Sequence, residues 1–302
     1  MGETRAARSQ QWLALFKTCP ALLLAGNEVL PERLLLGAAF SLVISIISFR
    51  LRFLDGSGSL AGFVLGVIIF GIGGWPFSLP ILFFFVGSSA LSKISEHRRR
   101  DLSSLFQKSS RRDAGQVLAN GGVATVLILV WHFASAPFWY FLFLGAVAAV
   151  TVDTWATEIG ILFGRRPRSI KTWQSVPPGT SGGVTFAGFL GATLGASTIV
   201  VLGWLMHPST SSYRFGWMGI FLLTAGGVLA HLLDSLFGAT IQAQYLCPVC
   251  GKKTERRQHC NGLATTSHSG WRWVNDDVVN GFCALSGALI VFAALRLFEA
   301  KI

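Results

Sequence analysis

The chain has 302 residues, of which 52% are hydrophobic and 13% charged, and its mean hydropathy is +0.56. A water-soluble chain carries roughly 25% charged residues, so most of this surface cannot face water, and a pair of soluble domains is excluded. The net charge is +11, from 25 Lys and Arg against 14 Asp and Glu. With charge so scarce, that excess points to one face of a membrane rather than to nucleic acid. Five cysteines make no disulfide scaffold. The fold class expected is all-α, a polytopic integral membrane protein.

A helix needs about 20 mostly apolar residues to cross a bilayer. Spans are predicted at 33–50, 59–74, 76–92, 116–134, 136–153, 182–206, 216–234 and 277–298, about eight in all. Gly73-Gly74-Trp75-Pro76 joins the second to the third and predicts a hairpin turn. Residues 1–32 read as an N-terminal interfacial segment, because the apolar stretch 11–25 is interrupted by Lys17 and Pro20. That stretch also lacks the charge, apolar-core and cleavage pattern of a signal peptide. Without a long linker or low-complexity tract, residues 1–302 are expected to form a single multi-pass membrane domain.

Three loops hold 16 of the 25 cations: seven in 93–114, four in 165–181 and five in 244–275. Cytosolic loops attract Lys and Arg, which puts these three on the cytosolic (or stromal or matrix) side and both termini opposite. The polar groups of the spans then fall at that same face: Asp55, Ser88, Ser89, Asn120, Asp153, Glu158, His231, Asp234, Gln242, Asp276 and Asn280. Ionisable groups at membrane depth are costly and tend to serve function. Asp153, Glu158, Asp234 and Asp276 are the catalytic candidates. Asp153, Asp234 and Asp276 suit Mg²⁺, a hard cation that takes one or two carboxylates together with substrate phosphates. Asp153 and Glu158 lie about 140° apart around one helix, so both reach one ion only if the helix end unwinds.

The run Val176-Pro177-Pro178-Gly179-Thr180-Ser181-Gly182-Gly183-Val184-Thr185 leads into the sixth span, with Thr180 or Ser181 as its expected N-cap. Free backbone N–H groups before a helix suit an anion, and Arg168 and Lys171 upstream are candidate phosphate clamps. In the loop at 244–274, Cys247-x2-Cys250-Gly251 is followed by His259-Cys260 and His268. Cys247, Cys250 and Cys260 with His259 or His268 would make a four-ligand structural Zn²⁺ site.

At these residues the chain resembles the membrane family that contains plant phytyl-phosphate kinase of the tocopherol pathway and the vertebrate transmembrane protein 19 group. The stretches concerned are LDGSGSLAGFVLG (54–66), GSSALSK (87–93), QVLANGGVA (116–124), DTWATEIG (153–160), RSIKTW (168–173), VPPGTSGGVT (176–185), DSLFGATIQ (234–242) and NDDVVNG (275–281). The resemblance implies a helical membrane enzyme that phosphorylates an isoprenyl monophosphate to the diphosphate with a nucleoside triphosphate, CTP or another, as co-substrate. It places Asn120, Asp153, Glu158, Asp234, Asp276 and Asn280 at a nucleotide–metal site, and Lys171, Gly179, Thr180, Gly182 and Gly183 on phosphates. The isoprenyl tail would lie between helices in the lipid bilayer.

The alternative is a transporter of a small anion or lipid phosphate that uses the same polar cluster. Transporter sites lie near the midplane at broken helices, whereas these polar groups gather at one face. Location is expected in the endoplasmic reticulum or plasma membrane, with a chloroplast membrane as the alternative, since a chloroplast leader is longer and richer in Ser and Arg. No nucleic-acid partner is expected. The nucleotide, the prenyl chain length and the oligomeric state stay open.

Overall fold

The computed structural model describes residues 31–102, 111–134, 136, 138–164, 166–207 and 216–299. Of the expected interfacial segment at 1–32, residues 1–30 lie outside them, and residues 31 and 32 open the first helix. Eight helices are present among the described residues: α1 (Pro31–Arg50), α2 (Gly56–Ile68), α3 (Gly74–Leu102), α4 (Ala114–Ala134), α5 (Phe138–Phe163), α6 (Phe186–Met206), α7 (Trp217–Thr240) and α8 (Asp276–Glu299). Seven stretches among the described residues are long and apolar enough to cross a membrane, and the 41-residue Gly56–Glu96 takes in α2 and most of α3.

That stretch turns back on itself as the Gly73-Gly74 pair predicts. A π-helical turn, Ile69–Gly73, ends α2, and the chain reverses at Gly74, whose φ is +64°. The outcome is visible on α4: Leu65 of α2 meets Gly121, the turn reaches Ile128, and α3 returns until Ser89 accepts from Arg112 Nη1 at 3.5 Å. Asp55 N donates to Arg112 O at 3.0 Å, and Lys93 Nζ donates to Leu51 O at 3.0 Å. The start of α2 and the far end of α3 therefore share a face.

Continuing along the chain, one face collects residues 51–55, the end of α3, the start of α4, 166–185 and 241–275. The other collects the start of α1, the Gly73-Gly74 turn, the end of α6 and the start of α7, as Tyr140 shows by donating to Gly203 O at 3.0 Å and Pro76 O at 3.3 Å. The first is the face of the basic loops.

Inside the bundle, α5 is central. In its most apolar window 72% of residues are buried, against 22–39% for the other spans, and α3, α4, α6, α7 and α8 all pack on it. A helix apolar on every side fits such a position. By contrast α1, α6 and α7 leave Leu35, Leu36, Phe189, Leu194 and Phe221 exposed, an apolar outer surface suited to lipid. Trp75, Trp204 and Trp217 stand near one face and Trp173, Trp271 and Trp273 near the other, all exposed, as interfacial aromatic belts do.

Several boundaries differ from expectation. α5 runs on ten residues past Asp153, to Phe163, and α7 runs past Asp234 to Thr240, so both acids sit inside continuous helices. α6 starts at Phe186, and its N-cap is Thr185, whose Oγ1 accepts from Gly188 N at 2.9 Å. Thr180 and Ser181 belong instead to the preceding loop, closed by β1 (Arg168–Ser169) pairing antiparallel with β2 (Gly183–Val184). Glycines in that loop already satisfy its turn, and the first residues able to hold helical geometry without interruption follow Thr185. Between α7 and α8 the chain forms short strands: β3 (Gln244–Leu246), β4 (Lys253–Thr254), β5 (Gln258–His259), β6 (Leu263–Ala264) and β7 (Thr266–Ser269). They make a sheet of order β4-β3-β7 and a β5–β6 hairpin.

Where α5 crosses α8 the two backbones touch. A Cβ on Gly145 would meet Gly287 O at 2.7 Å, and one on Gly287 would meet Ala149 Cβ at 2.6 Å. Nothing stands within 4 Å of a Cβ placed on Gly281, six residues earlier on α8. Gly287→Val should therefore lower stability in detergent by about 1–3 kcal/mol or more by overpacking, whereas Gly281→Ala should be neutral or stabilising. Thermal denaturation of the two purified variants measures the contrast.

Candidate functional site

On the basic face a cavity of about 340 Å³ opens between α4, α5, α7, α8 and the loop before α6. The structure brings Asn120, Asp153, Glu158, Gly179, Thr180, Ser181, Gly183, Asp234, Asp276 and Asn280 into its wall. These come from five separate parts of the chain. Gly182 stands behind the wall, where a Cβ would press on Ser235 O at 2.8 Å and Ala239 Cβ at 2.5 Å, and its φ of +74° favours glycine in any case. Arg168 and Lys171 are exposed and outside the lining. The Arg168 guanidinium turns to Trp173, donating to its carbonyl at 3.3 Å.

The acids fall into two sets. Asp153 of α5 faces α7, where His231 and Asp234 lie about one turn apart; His231 Nδ1 is 3.3 Å from Asp153 Oδ1. One donor atom from each of the three lies within 4.8 Å of the others. Asp234 is 8% exposed, and its Oδ1 is buried without a hydrogen-bond partner among the described residues. Asp153 and Asp276 are its charged neighbours. Carboxylates crowded in this way repel one another unless a cation or proton offsets them.

Glu158 points elsewhere, as its position five residues beyond Asp153 requires. It is 2% exposed, and both its oxygens are engaged by α3: Ser92 Oγ donates at 2.7 Å to one, and Ser95 Oγ donates to the other. Its carboxylate joins α5 to α3 and is not part of the Asp153–His231–Asp234 set.

The loop before α6 is held from both ends. Ile170 N donates to Gly182 O at 2.9 Å and Gly183 N to Thr180 O at 2.9 Å, while Ser181 Oγ donates to Gln242 Oε1 at 2.8 Å. Gly179, with φ +81°, lies on the cavity side. The N-terminus of α6 reaches the same wall through Thr185 and Gly188, so the helix dipole still faces the cavity, although from a position later than the glycine run predicts.

Arg112, Gln116, Ser92 and Ser95, outside the expected set, join expected residues to complete the site. Arg112, 7% exposed, lies just before α4 with its guanidinium 5.6 Å from the Phe84 ring. Gln116 and Asn120 follow it on one face of α4. All three line the polar cavity and also a second, apolar cleft between α1, α2, α3 and α4, whose walls include Ser45, Leu65, Phe70, Ile81, Phe85 and Val117. The spacing of four from Arg112 to Gln116 to Asn120 is the signal that carried this stripe. Ser88, Ser92 and Ser95 show a similar helical spacing opposite Glu158. At α2, Asp55 caps the helix: Gly58 N donates to its Oδ1 at 2.7 Å, as does Ser57 Oγ, and these donors hold its carboxyl below the usual carboxylate range.

A separate cluster lies in the α7–α8 segment. Donor atoms of Cys247, Cys250, His259 and Cys260 all fall within 4.8 Å of one another. His268 stands on β7, exposed and outside it. The backbone N–H of Cys250 draws the Cys247 thiol down to about 6, while hydrogen bonding with the Cys250 side chain pushes Cys260 up to about 11.

The two sets of acids should respond oppositely to neutralisation. Glu158→Ala takes the acceptor from the buried Ser92 hydroxyl and leaves Ser95 only the Ser92 carbonyl at 3.1 Å, and should cost about 1–3 kcal/mol, whereas Asp234→Asn relieves repulsion and should leave metal-free stability equal or higher. Melting curves in the presence of a chelator separate the two.

The integral membrane protein DUF92 family model matches residues 39–288. Protein PGR of Arabidopsis thaliana is 32% identical over 247 residues, covering 74% of this chain and 85% of that protein. An uncharacterized membrane protein of Methanocaldococcus jannaschii is 28% identical over 235 residues, covering 77% and 90%. Protein VTE6, chloroplastic, also of Arabidopsis thaliana, is 23% identical over 246 residues, covering 78% of this chain and 64% of that protein. No solved structure matches. Eight helices among the described residues, one of them enclosed by its neighbours, and a match to the family model from 39 to 288 agree: the chain belongs to the integral membrane protein DUF92 family.

Proposed function

We propose that this chain is a phosphotransferase acting on an isoprenyl monophosphate, with a nucleoside triphosphate as donor. The observation that carries this reading is the buried, unpartnered Asp234 Oδ1 beside Asp153, in a cavity also lined by the Gly179–Gly183 turn. Such an oxygen fits a metal: Asp153 and Asp234, with Asp276 beside them, would hold Mg²⁺. When bound, the ion supplies positive charge to the transferring phosphoryl group.

The remaining work falls to the protein. With Thr180 N and Gly183 N engaged inside the turn, the N–H groups of Gly179 and Ser181 and those of the first α6 residues would meet nucleotide phosphates. His231 orients Asp153 through their 3.3 Å contact. Arg112, Gln116 and Asn120 receive the phosphate of the lipid substrate, and the apolar cleft they share takes its tail. In the reaction an oxygen of the prenyl phosphate bonds to the γ-phosphorus as that atom's bond to the bridging oxygen breaks, and nucleoside diphosphate leaves. This assignment agrees with membership of a family that contains plant phytyl-phosphate kinase. A transporter draws less support, because α5 and α7 run unbroken through Asp153 and Asp234.

The direct test is purified protein with phytyl or geranylgeranyl monophosphate, Mg²⁺ and each of CTP, ATP, GTP and UTP, with prenyl diphosphate read by mass spectrometry. Diphosphate is expected with at least one donor, and Asp153→Asn and Asp234→Asn are each expected to lower turnover by about 100-fold or more. Absence of product with every pairing sinks the proposal. The tail's position has its own test: Val117→Trp fills the apolar cleft, and should depress turnover of a 20-carbon monophosphate far more than that of a five-carbon one. Equal loss on both would place the tail elsewhere.

A further inference from the structure

The α7–α8 segment carries too little apolar contact to hold its own shape. Its strands are two to four residues long, β6 and β7 are exposed along their whole length, and Tyr245, Cys247, Thr254 and Val274 are its main buried side chains. A unit with so small a core usually needs a covalent or metal staple. Its four cysteine and histidine ligands lie where a staple would go.

Two arms converge there. In the first, Gly251 N donates to Cys247 O at 3.0 Å and Cys247 N to Lys252 O at 3.0 Å, folding Cys247–Lys252 into a knuckle. The backbone N–H groups of Cys250 and Val249 point at Cys247 Sγ, the contacts that stabilise a bound thiolate. In the second, the β5–β6 hairpin turns through Cys260, Asn261 and Gly262, all with positive φ. That turn sets His259 Nδ1 at 3.5 Å from Cys250 Sγ and 3.2 Å from Cys260 Sγ. Metal–sulfur bonds of about 2.3 Å and metal–nitrogen bonds of about 2.0 Å in a tetrahedron require donor separations of roughly 3.3–3.8 Å, close to these. All three cysteines are free thiols rather than disulfide partners.

We propose that Cys247, Cys250, His259 and Cys260 bind one Zn²⁺, which fixes the segment over the mouth of the polar cavity. Four protein donors leave no open position, so the ion is structural. Its reach to the site runs through Glu255, which lies between the two arms and lines the cavity wall. The inference stands on the ligand geometry alone and does not depend on the kinase assignment.

The test uses the full chain purified in detergent without added metal. Elemental analysis is expected to find about one zinc per chain, falling about tenfold in Cys250→Ser and in Cys260→Ser and unchanged in Cys283→Ser, whose thiol donates to Ala149 O inside the bundle. Replacement by Co²⁺ should give the charge-transfer and visible bands of a tetrahedral cobalt thiolate. Should the serine variants fail to fold, chelation of the wild-type chain provides the reading: zinc release with helical content retained, and faster tryptic cleavage at Lys252, Lys253, Arg256 and Arg257. Absence of stoichiometric zinc, zinc retained by the double serine variant, or a chelated chain no more open to trypsin would each overturn the proposal.

Discussion

Within a bilayer, a helix gains nothing by exchanging lipid for an equally apolar neighbour, so close fit and shared polar contacts decide which helix is enclosed. The enclosure of α5 is the constraint on which the other features rest. Gly145 against Gly287 lets α8 approach to backbone contact. The Tyr140 hydroxyl ties α3 and α6 at one end, and Glu158 receives two α3 hydroxyls near the other. Once α5 is surrounded, the two acids at its basic-face end meet side chains of neighbouring helices. Asp153 meets His231 and Asp234, and Glu158 meets Ser92 and Ser95. One helix thereby serves as core and as the backbone of the site.

Much of this is legible in the amino-acid sequence. Runs of about one membrane thickness mark the spans, the Gly73-Gly74 pair marks the hairpin, and the loops rich in Lys and Arg mark a single face. The gathering of Asn120, Asp153, Asp234, Asp276 and Asn280 follows from that topology, because each lies toward the same end of its helix. What the sequence does not disclose is direction around the axis and the true end of each helix. Asp153 and Asp234 look terminal because apolar residues cease there, yet backbone hydrogen bonding carries α5 and α7 further, and only polarity changes. Arg168 and Lys171 look like phosphate clamps by proximity in the chain, but the turn at Ser169–Gln174 swings them outward. Arg112 looks like one more basic loop residue until the α2–α3 hairpin folds over it.

The same contrast explains why the α7–α8 segment is the least predictable part of the fold. It has no periodic apolar pattern, and its register is set by pairings such as Leu246 with Lys253 and His259 with Leu263, spread over strands too short to declare themselves. Its cysteines and histidine nevertheless stand out by spacing alone. Composition was informative where packing was not.

The three residues common to the polar cavity and the apolar cleft, Arg112, Gln116 and Asn120, carry a consequence for traffic. A chamber with a wet end and a greasy end can be filled from two phases at once. Under the proposed assignment, the water-borne partner would arrive through the mouth beneath the α7–α8 segment, and the membrane-borne partner by lateral diffusion within one leaflet. Neither would need to leave its own phase, and neither would block the other's route. Collision in two dimensions on one side and three on the other would make occupancy depend on the lipid's surface density rather than on its concentration in water.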